Sequence, residues 1–237
     1  MAQRFTVFFF ELPGHGKSTP LAHYSSEQIA QVITDLLDYL KFDRVSLMGF
    51  SFGGLLTLTA LNLLSPRIDR VILISPLVDS AAIRYSQLHK LFLRSLVSMA
   101  QSPRLQKWGH QFLQSDLGST FWAQFAVRVG NVEHFDILKE NLRATSLPTV
   151  QTLLGQINEI FNTHHFVESV RYTQPCYFAM SVIDPLLDFP FTSDAVKQMF
   201  SSVEELRLNL PYHHPRVFPT LDYLNHTYSD LLDRIGV

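Results

Sequence analysis

The sequence predicts an α/β protein: a mostly parallel sheet with helices on both faces, plus an inserted helical segment. Three observations carry that expectation. Residues 5–12 and 45–48 are short apolar runs, and the first is continuous rather than alternating, as in a strand covered on both faces. Between them lies a one-sided helical stripe, so the three together make a strand–helix–strand unit with a right-handed crossover. From about residue 77 to 170 strand-like runs give way to helical stripes, and the α/β pattern then returns.

The strand at residues 5–12 runs into Pro13-Gly14-His15-Gly16-Lys17-Ser18. Gly-Lys-Ser after a strand invites a phosphate-loop reading, but the spacing rejects it. The first glycine of that motif would fall on Glu11, and Pro20 stands where its helix should run. The segment reads instead as a loop with positive-φ positions at its glycines, and His15 as a loop histidine. Ser25 and Gln28 form a capping box for the next helix, which carries Ile29, Val32, Ile33, Leu36, Leu37 and Leu40 on one face.

Residues 45–48 are the next strand, followed at once by Gly49-Phe50-Ser51-Phe52-Gly53-Gly54 and a leucine-rich helix. Strand, G-x-S-x-G, helix is a nucleophile elbow, which holds the serine above the carboxyl end of the strand. Side chains at positions 49 and 53 are expected to collide across so tight a turn, and Ser51 to take a strained backbone conformation. Gly54 would let the helix start close against the sheet. The Phe52 N–H, at the helix N-terminus, would face a developing oxyanion. Ser65-Pro66 stops the helix, and residues 71–74 make another strand.

In the helical stretch the stripes are Leu88, Leu91, Phe92, Ser95, Leu96 and Met99, then Phe121, Trp122, Phe125 and Val129, then Phe135, Leu138 and Leu142. Most of these are expected to pack on one another. His164 and His165 are adjacent and would point to different faces, which suits surface or capping roles rather than a metal pair. Residues 176–180 form a strand that ends in Ser181-Val182-Ile183-Asp184-Pro185. Thr192 or Ser193 would cap a helix bearing Val196, Met199 and Phe200. Residues 206–210 are the last strand, with Pro211-Tyr212-His213-His214-Pro215 after it. A single final helix would bury Leu221, Leu224, Tyr228, Leu231, Leu232 and Ile235.

With 237 residues and 46% hydrophobic composition, the chain has enough material for a substantial core. A net charge of −2 argues against a nucleic-acid partner or an anionic membrane surface. No apolar run approaches the ~20 residues of a membrane span. The one cysteine, Cys176, lies in an apolar run, so no disulfide framework forms, and a reducing, cytoplasmic setting is expected. As a small buried hydrophobe it fits better than as a catalytic thiol.

Ser51, then Asp184, then His213 or His214, each just past a predicted strand, resembles the α/β-hydrolase superfamily, with its order of nucleophile, acid and histidine. The ending F-x-L-P-G-H-G-K-S of residues 10–18 resembles the family's strand before the elbow. Residues 181–184 resemble its G-x-x-D acid loop with serine for glycine, and His213-His214-Pro215 its H-x-P ending with Tyr212 for the usual glycine. The resemblance implies a core of residues 1–76 and 171–237 and a helical cap of residues 77–170. It implies a serine hydrolase that cleaves a carboxylic ester or thioester with Ser51 as nucleophile, His213 as base and Asp184 as its orienting acid, and with the Phe52 N–H in the oxyanion hole. Asp188 is the reserve acid and Asp79 a distant third; His213 is favoured over His214 on the H-x-P spacing. No cofactor, metal or nucleic acid is implied. An apolar cap points to a small apolar or acyl substrate. Acyl transfer on the same residues and a non-catalytic binding protein on this fold are the rival readings.

One departure bears on the sheet. The family has strands ahead of Phe5; one supplies a second oxyanion N–H and lies between the strand at 5–12 and the elbow strand. Without it, a gap would leave two rows of buried backbone groups unpaired, at about 1–3 kcal/mol each. Residues 5–12 are therefore expected to close up and pair directly with 45–48. A chain so arranged would be a poor catalyst of marginal stability, and an upstream strand and loop would raise both.

Overall fold

The computed structural model describes residues 6–9, 11–22, 24–130, 135–162, 171–214 and 220–236, except the side chains at 125, 126, 128–130, 221 and 224. Four parallel strands, β1 (Val45–Phe50), β2 (Ile68–Ile74), β3 (Cys176–Ser181) and β4 (Val203–Leu208), lie in the order in which they occur in the chain. Helices α1 (Ser26–Tyr39) and α2 (Phe52–Leu64) flank β1 in sequence. Helices α3 (Gln87–Ala100), α4 (Pro103–Gln114), α5 (Asp116–Gly130), α6 (Phe135–Ala144) and α7 (Leu147–Asn162) all fall between β2 and β3. Helix α8 (Phe189–Met199) crosses from β3 to β4, and α9 (Leu221–Thr227) and α10 (Ser229–Ile235) end the chain.

Two cores sandwich the sheet. On one face Ile29, Ile33 and Leu37 of α1 and Leu55, Leu58 and Leu61 of α2 pack with Val71, Leu73, Phe178 and Met180. Helix α2 is buried on nearly every side, which suits an almost wholly apolar helix. On the other face Ile72, Ile74 and Ala179 meet Tyr228, Leu231 and Ile235. The Ser25 hydroxyl accepts from the Gln28 N–H at 3.2 Å, so the cap expected for α1 forms.

Several expectations are corrected. Residues 6–9, 11 and 12 are not in a strand, and β1 pairs only with β2 among the described residues. Among the described residues the expected direct pairing of 5–12 with 45–48 is therefore not formed. Phe8 instead meets Phe42 edge-on at 5.0 Å, just ahead of β1. Closure was expected because unpaired groups would be buried. Ser46 and Met48 on β1 are exposed, so this edge lies at the surface, where water can satisfy backbone groups. Helix α8 starts at Phe189, with Asp188 rather than Thr192 or Ser193 as its cap. Pro190 explains the earlier start, since proline favours the first turn, where its missing N–H costs nothing. The last strand ends at Leu208, short of Leu210. The single C-terminal helix is two helices with a break at Tyr228, whose φ of −117° and ψ of 19° are not helical. Tyr228, Leu231 and Ile235 are buried as expected, and the Leu221 and Leu224 side chains lie outside the described residues. His164 and His165 are also outside them.

Among the described residues no helix is long and apolar enough to cross a membrane.

Candidate active site

A parallel sheet delivers the carboxyl ends of its strands to one edge, and three loops leave that edge. Ser51 follows β1, Asp184 follows β3 and His213 follows β4. Phe50 lies level with Ile74, Ile74 with Ala179, and Ser181 with Leu208, so the three loops start close together.

Ser51 has φ 51° and ψ −116°, a conformation strained for a residue with a side chain. Its surroundings fix it from three directions. The Ser51 N–H donates to Ile74 O at 3.0 Å, and its carbonyl accepts from the N–H groups of Gly54 and Leu77, both at 2.9 Å. Helix α2 begins at the next residue, Phe52. The first N–H groups of a helix have no partner within it, so this end offers donors and a positive dipole beside the serine hydroxyl.

The glycines around the turn are not equivalent. A Cβ at Gly49 would lie 2.2 Å from Gly53 O, and one at Gly54 2.5 Å from Pro76 Cβ. At Gly53 a Cβ would meet nothing within 4 Å, so the expected collision across the turn concerns Gly49 alone. Gly49→Ala is therefore expected to destabilise the protein by about 3–5 kcal/mol, because backbone must move. Gly53→Ala, a substitution near the start of a helix, should be neutral or stabilising by up to about 1 kcal/mol. Paired denaturant melts check this, and equal losses would show that the turn is not the tight spot.

Asp184 is 0% exposed. Its Oδ1 accepts from the N–H groups of Leu186 at 2.8 Å and Leu187 at 2.9 Å, and its Oδ2 lies 2.7 Å from His213 Nδ1. Burial alone would raise this carboxyl. The hydrogen bonds from His213, Leu187 and Leu186 together outweigh it and hold it below its usual range. A carboxylate can only accept, so Nδ1 of His213 carries the proton and Nε2 keeps its lone pair. That Nε2 lies 2.7 Å from Ser51 Oγ and can accept the serine proton. Asp184, His213 and Ser51 thus form one continuous hydrogen-bonded chain. The acid loop is itself pinned to the segment leaving β2, where Arg84 N–H donates to Leu186 O at 2.9 Å and Asp188 N–H to Ala82 O at 2.8 Å.

The other candidates lie elsewhere. Asp188 accepts from Phe191 N–H at 2.9 Å as the cap of α8, and Arg84 stands 3.7 Å away. Asp79 accepts from Ala81 N–H at 2.7 Å. His214 stacks edge-on against Phe50 at 4.9 Å; burial, then the neighbouring His213, keeps it below the usual histidine range. His15 sits in the loop between the positive-φ residues Gly14 and Gly16, with Nε2 3.3 Å from Gln156 Nε2 of α7. Cys176 is buried, and burial pushes its thiol up, so it is a poor nucleophile. Among the described residues no three metal-ligating side chains cluster.

Two contributors escape a reading of the sequence. Ser181, the residue in place of glycine in the acid loop, donates to Leu210 O at 2.7 Å and accepts from Leu210 N–H at 2.9 Å. It clamps the exits of β3 and β4, and so the Asp184 and His213 loops, to each other. Phe50 packs its ring 5.5 Å from that of His213. Helix α7 also reaches back to the core: Glu159 accepts from the Ser26 N–H at 3.0 Å and from the Ser26 hydroxyl.

Residues 1–214 match the model of a family described as alpha/beta hydrolase fold. The chain belongs to this family. Its fold is similar to that of a putative acyltransferase from Salmonella enterica, with TM-score 0.64 and 15% identity over 95% of this chain and 76% of that one. It is also similar to an esterase from Exiguobacterium antarcticum, with TM-score 0.60 and 17% identity over 96% of this chain and 80% of that one. An uncharacterized protein of Mycobacterium tuberculosis is 41% identical over 76 residues, 32% of this chain. That match spans 22% of the mycobacterial protein, about a fifth of its length.

Proposed function

We propose that this alpha/beta hydrolase cleaves a carboxylic ester or thioester of a small apolar acyl substrate through an acyl-enzyme. The observation that carries the reading is the chain of hydrogen bonds from Asp184 through His213 to Ser51, with 2.7 Å at each side of the imidazole. As the Ser51 oxygen bonds to the substrate carbonyl carbon, its proton passes to His213 Nε2. Asp184 holds the imidazole in the tautomer that makes this possible and stabilises the imidazolium that results. The carbonyl electrons move onto oxygen, and the Phe52 N–H at the start of α2 is the donor nearest in sequence for that oxyanion. Collapse expels the alcohol or thiol, which takes the proton back from His213. Water repeats the sequence and frees the acid. Helices α3–α7 act as the cap.

A fluorophosphonate probe tests this directly. It phosphonylates an activated serine, and Ser51 is expected to carry the adduct on peptide mass mapping, with no labelling of the acid-unfolded chain. A folded chain that takes no label at Ser51 would instead be a binding protein on this fold.

A further inference from the structure

Helices α3 and α4 turn several polar side chains inward and most of their leucines and aromatics to solvent. The stripe of Leu88, Leu91, Phe92, Leu96 and Met99 was expected to be packed, yet all five are exposed, Leu88 at 79%. The side of α3 turned inward carries Val97 and Leu93 but also two cations. Lys90 is buried and donates to Ser80 O at 2.9 Å and Ala81 O at 3.2 Å. Arg94 donates to Phe161 O at 2.6 Å and Ser80 Oγ at 3.2 Å. Helix α4 repeats the arrangement. Its buried Gln106 accepts from Gln151 of α7 at 3.0 Å, and His110 Nε2 lies 2.8 Å from Thr145 O. Leu105, Trp108 and Phe112 are exposed, Trp108 at 64%, with the Trp108 and Phe112 rings stacked at 5.8 Å. Both helices pack on α7. A surface helix ordinarily turns its leucines and aromatics inward, so the exposure of most of them here leaves an apolar patch, and such patches mark interaction sites.

Charge decides what covers it. From Ser80 to Ser115 the chain carries five cationic residues, Arg84, Lys90, Arg94, Arg104 and Lys107, and no aspartate or glutamate. Arg104 and Lys107 are exposed on α4 beside Leu105 and Trp108, and neither pairs with an acid among the described residues. The next acid, Asp116, is itself engaged by Lys139 at 2.7 Å. A two-fold dimer through this patch would set the same cations against each other. We infer that the exposed face of α3 and α4 docks on an anionic lipid surface, its leucines and aromatics entering the headgroup–acyl boundary and Arg104 and Lys107 meeting lipid phosphates. Lys90 and Arg94 turn inward and Arg84 lies 3.7 Å from Asp188, so Arg104 and Lys107 are the cations of the outer face. A net charge of −2 over the whole chain does not display them. The inference does not depend on the hydrolase reading.

The test is co-sedimentation of the full chain with vesicles of phosphatidylcholine and phosphatidylglycerol, 7:3, against vesicles of phosphatidylcholine alone. Binding to the anionic vesicles is expected to be at least about 10-fold tighter, since each surface cation gains appreciably at an anionic leaflet. It should weaken by a similar factor in Arg104→Glu/Lys107→Glu and in Leu91→Gln/Phe92→Gln, with melting curves unchanged. Trp122→Phe leaves Trp108 as the only tryptophan, and its emission should shift to the blue on binding even if the other variants fold poorly. No sedimentation, equal sedimentation with neutral vesicles, or binding without a Trp108 shift overturns the proposal. So does a solution mass of two chains that falls to one in Leu91→Gln/Phe92→Gln, which would assign the face to a second copy.

Discussion

Ser51→Ala is expected to lower the hydrolysis of short aryl esters by about 10⁴- to 10⁶-fold and to leave the melting transition in place. The size follows from coupling. In the proposed mechanism His213 Nε2 and Asp184, hydrogen-bonded in series to Ser51, act only through its hydroxyl, so removing Oγ removes the use of all three groups at once. The fold should survive because the turn is held by Ser51 backbone bonds to Ile74, Gly54 and Leu77, which alanine keeps. Relief of crowding at a φ of 51° is not gained, since alanine also carries a Cβ. Turnover above a few per cent of the parent would place the chemistry elsewhere.

Asp184→Asn is expected to lower kcat by about 10³- to 10⁴-fold with little change in KM. The asparagine amide can turn its NH₂ toward His213 Nδ1, which then becomes the acceptor, and Nε2 takes the proton that should come from Ser51. Asp188→Asn is the contrast. It alters a helix cap, where asparagine substitutes well, so stability should change by less than about 1 kcal/mol and kcat little. The opposite pattern would reassign the acid to Asp188. The pH dependence has a definite sign. The Asp184 carboxyl is held below its ordinary value of 3.8, so the stability it contributes is present above that value and is lost as pH falls through the lower folded-state pKa. Asp184→Asn should remove that part of the acid destabilisation, measured as the melting temperature between pH 5 and pH 2.

Local signals were enough for the part of the fold that surrounds the elbow. Gly49, Ser51 and Gly54 mark a turn whose constraint lies within a few residues and the neighbouring Pro76, so the pattern and its geometry coincide. The same holds for the Ser25 cap and the buried stripe of Ile29, Ile33 and Leu37, because helix period and capping are local properties. Ser51, Asp184 and His213 stood out because each follows a strand, and a parallel sheet carries all such positions to one edge.

What remained open in the sequence depends on contacts between distant segments. Asp184 and Asp188 are four residues apart in one loop. Which of them faces His213 is decided by the Ser181–Leu210 clamp and by the ladder from Arg84 and Ala82, none of which a short window contains. The aromatic run ahead of Pro13 is strand-like in composition, yet β1 keeps an exposed edge and Phe8 packs on Phe42 instead. Helical period shows that α3 has an apolar stripe but not which way the stripe turns. Lys90 and Arg94 find backbone carbonyls inside, so tertiary packing turns the leucines outward. The sequence by itself determined the elbow, the capped helix α1 and the residues able to do chemistry, since those follow from turn sterics and periodicity. The tertiary structure alone decided which acid meets which histidine, where the sheet stops and which faces meet solvent, since those depend on hydrogen-bond partners far apart in the chain.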